Sequence, residues 1–191
     1  RDAAESVYVI EGTVNGAGSA LEWTEQKLGV KDVVNQLAGW WKTETSPPLF
    51  LNGISGLGSP FWVADFESRW IGAGTPAAKI VAVAESILFL IQNNLDEMRK
   101  SFTPFEQIFV SGGLSMNDVL CEKLANLTDL PVYRPVEHEA TARGLAWLVG
   151  GCPADWPEQE FGRWFRPVED RPLRERYTRW RREMTSALAG G

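Results

Sequence analysis

Two glycines that close a strand and open a helix make a place where an anion can rest. The run Ile108-Phe109-Val110-Ser111-Gly112-Gly113-Leu114-Ser115-Met116-Asn117-Asp118 has that arrangement. A compact apolar strand ends in a glycine pair, and a helical pattern follows. Glycine has no Cβ, so a ligand can approach the backbone closely. Free amides and the helix dipole favour negative charge at that end. Asn117 adds both donor and acceptor atoms. The chemistry that fits is anion binding. The plain alternative is a tight turn that needs glycine for its geometry alone, and a bare glycine pair does not separate the two.

Two further segments have related character. Gly12-Thr13-Val14-Asn15-Gly16-Ala17-Gly18-Ser19-Ala20-Leu21-Glu22-Trp23 again places glycines before a helix. Its alternative is a strand–helix turn with Trp23 in the core. Gly53 to Trp62 is a glycine-rich loop with apolar and aromatic members, so it must pack down or touch a ligand. It has no Lys and is not a Walker A loop.

The elements that position these segments follow from pattern. Val7 to Val14 is β-branched and aromatic and reads as a strand. Residues 19–28 read as a helix stopped by Gly29, and 33–41 as a second short one. Pro47-Pro48 excludes helix, and Leu49-Phe50-Leu51 reads as a strand. The clearest helix opens at Thr75-Pro76, a capping residue followed by a proline that loses nothing at the first position. Its apolar stripe runs through Ala77, Ile80, Val81, Ala84, Ile87, Leu88, Ile91, Leu95 and Met98. Residues 108–110 form a strand, and a helix over about 116–127 follows, with Ser115 and Asp118 spaced like a capping box. Val132-Tyr133 is another strand, a helix spans 140–149, and a last helix spans 172–188. The alternation predicts parallel strands with crossover helices, mixed with antiparallel elements near the start.

Composition narrows the class. A chain of 191 residues, 44% of them hydrophobic, can bury one sizeable core. The net charge of −6 argues against a general nucleic-acid binder. Cys121 and Cys152 lie far apart, which argues against a disulfide framework; with one His they make no zinc site. No apolar run approaches the roughly 20 residues that cross a bilayer, and Arg1-Asp2-Ala3-Ala4-Glu5 has no signal-peptide pattern. The expected setting is cytoplasmic, without nucleic-acid or membrane partners.

Several segments run in the order of a known family. Tyr8-Val9-Ile10-Glu11-Gly12 with Ala17-Gly18 and Trp23 is one. Ser55-Gly56-Leu57-Gly58-Ser59-Pro60-Phe61-Trp62 is another, and Gly72 to Ser86, ending in Glu85-Ser86, a third. Gly112-Gly113 with Asn117, and Pro131-Val132, Arg134-Pro135, Glu139-Ala140-Thr141-Ala142 and Gly144, complete the series. Together they resemble the C-terminal domain of the FGGY carbohydrate kinases, most nearly the glycerol kinases. Val63, Ser111 and a shorter Gly72–Ser86 stretch depart from that pattern.

The resemblance implies an α/β fold of ribonuclease H-like (actin-like ATPase) type, a mixed sheet flanked by helices. It implies the ATP-binding half of a kinase for a small polyol or sugar, working with ATP and Mg²⁺. It places Gly112 at the nucleotide, Gly113 near the phosphates, Asn117 near the adenosine, and Gly18, Leu21 and Glu22 along the adenosine side; the family has Gln where Glu22 stands. The catalytic base, the substrate site and a phosphate-binding Gly-Thr hairpin belong to upstream segments of the family, so no catalytic residue is assigned here. The expected organisation is a nucleotide-binding domain over 1–151 and an extension over 152–191 whose helix packs on it. A non-catalytic nucleotide-binding or assembly module with the same fold is the alternative, and homo-oligomer formation stays open.

The remaining features have plainer readings. His138 and Asp65 are expected at the surface, Cys121 as a buried inert thiol, and the six arginines from Arg171 to Arg182 as a solvated helix face.

Overall fold

A long apolar stripe needs neighbours on every side, and it collects them. The computed structural model describes residues 9–101, 105–137, 139–157 and 161–190. Its centre is α3, Pro76–Arg99, 24 residues and about 36 Å long. Thr75 Oγ1 caps it by accepting from the Ala78 amide at 3.0 Å. Every residue from Ile80 to Leu90 is buried. In length and composition this helix is apolar enough to cross a membrane, contrary to the expectation from the sequence. Burial decides its role: the protein encloses it, and Glu85, Gln92, Asn93 and Asn94 are among the enclosed residues.

Packed along α3 are α1 (Ala17–Leu28), α2 (Val33–Thr43), β1 (Leu49–Leu51) and α4 (Asp118–Thr128). Gly29 ends α1, as the sequence indicates. β1 pairs antiparallel with β2 (Arg69–Ile71). Trp23, Phe50 and Trp70 meet there, with ring centroids 4.9 to 5.7 Å apart. A second sheet has the order β3-β4-β5, from Ile108–Phe109, Val132–Pro135 and Gly162–Phe165. β3 and β4 are parallel through α4, and β5 returns antiparallel. The mixed character matches expectation.

Three expectations are corrected. Residues 9–14 form no strand, and Val7 and Tyr8 lie outside the described residues. A strand exists only where a neighbour shares its hydrogen bonds, and among the described residues no strand pairs with this segment. β2 and β5 were not read from the sequence; they are short and become strands through their partners. The arginine face of α6 (Arg171–Ala189) is not wholly solvated. Arg176 turns inward, and Arg174 donates to the Asn126 carbonyl at 3.0 and 3.1 Å.

α6 is fastened by polar groups set among apolar ones. Leu173, Tyr177, Trp180 and Met184 are buried. Trp180 Nε1 donates to the Phe50 carbonyl at 2.9 Å, and the Tyr177 hydroxyl to Asp96 at 2.6 Å. Arg176 grips Glu85 of α3 with two bonds, 2.5 and 2.8 Å. Burial pushes the Glu85 carboxyl upward, and the Arg176 hydrogen bond and charge pull it back only in part, so it stays above its ordinary value. Beside this pair, Lys123 of α4 bonds Asp170 at 2.6 Å. Burial raises the Asp170 carboxyl, but the Lys123 bond, the Leu173 amide and the nearby positive charges outweigh it and hold it below its ordinary value.

Two outcomes are expected. Arg176→Met leaves Glu85 enclosed without its counter-charge and costs about 3–5 kcal/mol in urea unfolding, whereas Glu85→Leu combined with Arg176→Met costs far less. A depressed carboxyl stabilises the fold above its unfolded value and loses that contribution as pH falls through the folded one. Asp170→Asn therefore lowers the melting temperature at neutral pH. The mutant and wild-type melting temperatures begin to converge as the pH falls below the ordinary carboxylate value of about 3.9, and they meet only below the lowered folded value.

Candidate functional site

The glycines divide into two kinds when a Cβ is placed on each. At Gly53 it would lie 2.1 Å from the Phe66 carbonyl oxygen, and at Gly58 2.4 Å from that of Thr13. These glycines let the loop backbone approach neighbouring backbone closely. The loop folds on itself through Leu57 and Val63, which exchange bonds of 2.7 and 3.2 Å. Packing explains it fully. At Gly18 and Gly113, as at Gly39 of α2 and Gly144, the added atom would meet nothing within 4 Å, and none of these backbones has a positive φ. Neither packing nor conformation within the described chain calls for glycine there. Gly112 differs again, since its φ of +84° favours glycine by itself.

The strand β3 delivers the chain to Gly112, and a 3₁₀ turn over Gly113–Met116 follows. Ser115 closes that turn: its hydroxyl donates to the Gly112 carbonyl at 2.6 Å. It does not cap α4. Asn117 does, its Oδ1 accepting from the amides of Val119 and Leu120 at 3.1 and 3.3 Å. Asn117 Nδ2 donates to the Val34 carbonyl of α2 at 2.7 Å. Both ends of the amide that the sequence offers to a ligand are engaged inside the protein. The start of α4 is also occupied by charge, since Asp118 pairs with Arg134 at 2.9 Å and contacts Arg163. The donors left for an anion are those of the turn. Among the described residues nothing accepts from the Gly112 or Gly113 amides.

The structure brings two of the sequence segments together. Ala17 at the start of α1 and Ser111, Leu114 and Ser115 of the turn line one apolar cavity of about 170 Å³, floored by Ile87, Leu88 and Cys121. Gly18 and Glu22 are exposed on α1. Leu21 is 2% exposed and belongs to the core. Cys121 is buried as expected, and burial pushes its thiol up, so it stays protonated and donates to the Ser115 carbonyl at 3.2 Å. Asp65 is exposed, and His138 lies outside the described residues. Sequence reasoning passed over Arg134, although the Arg134-Pro135 pair was in view. Its guanidinium donates to the Ser115 carbonyl at 2.7 Å as well as holding Asp118. Only the fold shows that β4 runs beside the turn.

Among the described residues no three His, Cys, Asp or Glu side chains gather as metal ligands.

Comparison with known proteins adds a family. The family model described as "FGGY family of carbohydrate kinases, C-terminal domain" matches residues 1–150. A glycerol kinase of Brucella suis is 29% identical over 195 residues, covering 97% of this chain and 38% of the relative. One from Janthinobacterium is 33% identical over 167 residues, covering 83% and 33%. Among solved structures, Plasmodium falciparum glycerol kinase with ADP has a TM-score of 0.76 at 18% identity, covering 92% of this chain and 37% of that one. Gluconate kinase of Lactobacillus acidophilus has a TM-score of 0.76 at 20% identity, covering 93% and 39%. These likenesses show the actin-like fold expected from the motifs. The chain spans about two-fifths or less of the length of the relatives it matches.

The two kinds of glycine separate by stability. Gly58→Ala forces a methyl against backbone and is expected to cost about 1–3 kcal/mol. Gly113→Ala is expected to stay within about 0.5 kcal/mol of the wild type. Urea unfolding of both variants reads the difference.

Proposed function

Since the chain belongs to the FGGY family of carbohydrate kinases, we propose that it is the ATP-binding half of a kinase that phosphorylates a small polyol or sugar. The observation that carries this reading is the open space at Gly18 and Gly113, on α1 and on the turn. A glycine with no internal reason, beside free amides, suits close approach by a ligand. On this reading the Gly112 and Gly113 amides meet the nucleotide phosphates, and Gly18 and Glu22 border the adenosine. Leu21 supports that wall from the core, and Asn117 shapes it by joining α2 to α4. Phosphoryl transfer rests mostly on positioning and charge stabilisation, and Mg²⁺ supplies charge on the phosphates. The chain's own part is to orient the nucleotide. The site for the substrate's acceptor hydroxyl, and the base that deprotonates it, would come from the part of the kinase that this chain does not span.

Residues 1–151 would form the nucleotide-binding domain and 152–191 an extension that β5 and α6 fasten to it. The reading places the protein in the cytoplasm, with nucleotide and a polyol or sugar as partners. A second reading has one observation in its favour. No residue of α5 (Ala140–Val149) is buried, although Leu145, Leu148 and Val149 are 60–81% exposed. Such a face suits an assembly module without catalysis.

Calorimetric titration with Mg²⁺-ADP separates the readings. The nucleotide-binding reading expects saturable binding, lowered at least tenfold, or about 1.4 kcal/mol, by Gly113→Val. The assembly reading expects no dependence on residue 113. Phosphorylation of glycerol by the isolated chain with ATP is expected to be undetectable, and measurable turnover would contradict the division of labour proposed here.

A further inference from the structure

We propose that Arg134 is a positioning residue that braces the glycine turn in its nucleotide-binding shape. This rests on the nucleotide-binding reading of that turn. Arg134 stands on β4, the middle strand of its sheet. Its guanidinium reaches across to both sides of Asn117. Nη1 donates to the Ser115 carbonyl at 2.7 Å, and Nη2 pairs with Asp118 Oδ1 at 2.9 Å. The side chain is only 14% exposed, and it lies over the Phe165 ring at 5.3 Å. On the neighbouring strand Arg163, in register with Arg134, holds the other Asp118 oxygen.

The arrangement has the parts of a brace. The base is rigid, because β4 is bonded on both edges. The arm is a planar fork with fixed donor directions, which a lysine cannot reproduce. The bonds are charge-assisted and so stronger than ordinary ones. The points held are the last buried residue of the 3₁₀ turn and the first residue of α4. What lies between Gly112 and Ser115 then has little freedom, and the direction of the Gly112 and Gly113 amides is set before a ligand arrives. The Ser115 carbonyl also accepts from Cys121 Sγ at 3.2 Å, which ties the brace to a buried thiol. That thiol reports on the turn without any nucleotide.

The test uses the full chain in a Cys152→Ser background, which leaves Cys121 as the only thiol. Arg134→Lys keeps the positive charge but loses one of the two anchor points. Expected are a dissociation constant for Mg²⁺-ADP about tenfold higher, faster reaction of Cys121 with a thiol reagent, and a melting temperature near that of the background. Asp118→Asn, which removes the charge that Arg134 holds, is expected to move both readouts the same way and serves if Arg134→Lys does not fold. Unchanged Cys121 reactivity in a folded variant overturns the brace. So does unchanged affinity, or a loss of affinity that tracks a fall in melting temperature. Failure of the background chain to bind Mg²⁺-ADP instead counts against the nucleotide-binding reading and removes the functional half of this inference, while the thiol rates still judge the brace.

Discussion

A charge can sit inside a protein only where its partner is held beside it, and Glu85 meets that condition through Arg176. The carboxylate is at the middle of the central helix and almost without solvent contact. An ion there is costly unless its bonds are short and its remaining partners are in place. Arg176 supplies two bonds from the far end of the chain, separated by 91 residues. The geometry works only if α6 lies at one height and one rotation on the core. Trp180 and Tyr177 add polar anchors at successive turns of the same helix face, and Lys123 with Asp170 links α4 to the start of α6. The core helix, the turn-bearing helix α4 and the last helix thus share one polar seam inside an apolar interior. Apolar packing by itself tolerates sliding and repacking; a buried ion pair does not.

That rigidity matters for the turn. β3 ends at the glycine pair, α4 begins just after it, and α4 rests on α3. The turn is therefore suspended between two fixed elements and steadied from the side by β4. Backbone amides make a useful anion site when they need not reorganise on binding. The glycines take complementary parts: one accepts an unusual φ, and its neighbour leaves space. By contrast the loop from Gly53 to Trp62 uses its glycines to bring backbone against backbone, which gives shape and no opening.

Asn117 shows how the same side chain can be read in two ways. Its amide has the donors and acceptors that ligand recognition needs. It also has the length to cap a helix, and Val119 and Leu120 present unpaired amides at the right distance. With α2 alongside, the other end of the amide finds the Val34 carbonyl, 83 residues away. A cap was to be expected near this position, yet Ser115, which has the capping-box spacing, turns back to close the preceding turn. The choice between Ser115 and Asn117 depends on where the 3₁₀ turn ends and α4 begins, a matter of one or two residues that periodicity does not resolve.

Taken alone, the sequence determined the elements whose signals are local and repeated. α3 is stated by a long apolar stripe with a Thr-Pro start, α1 by its helical character and glycine stop, and α6 by apolar residues at helical spacing. The strand–glycine–helix unit and the order of the motifs stated the fold class and the family. The tertiary structure alone decided what depends on distant neighbours. β2 and β5 are strands because a partner pairs with them, and the segment before Gly12 is none among the described residues. Arg176 is an interior ion and not a surface charge because Glu85 waits 91 positions earlier. Arg134 matters because β4 passes beside the glycine turn. Periodicity records which face of an element is apolar; only the assembled chain records which elements meet, since burial, charge pairing and hydrogen bonding are properties of contacts and not of residues.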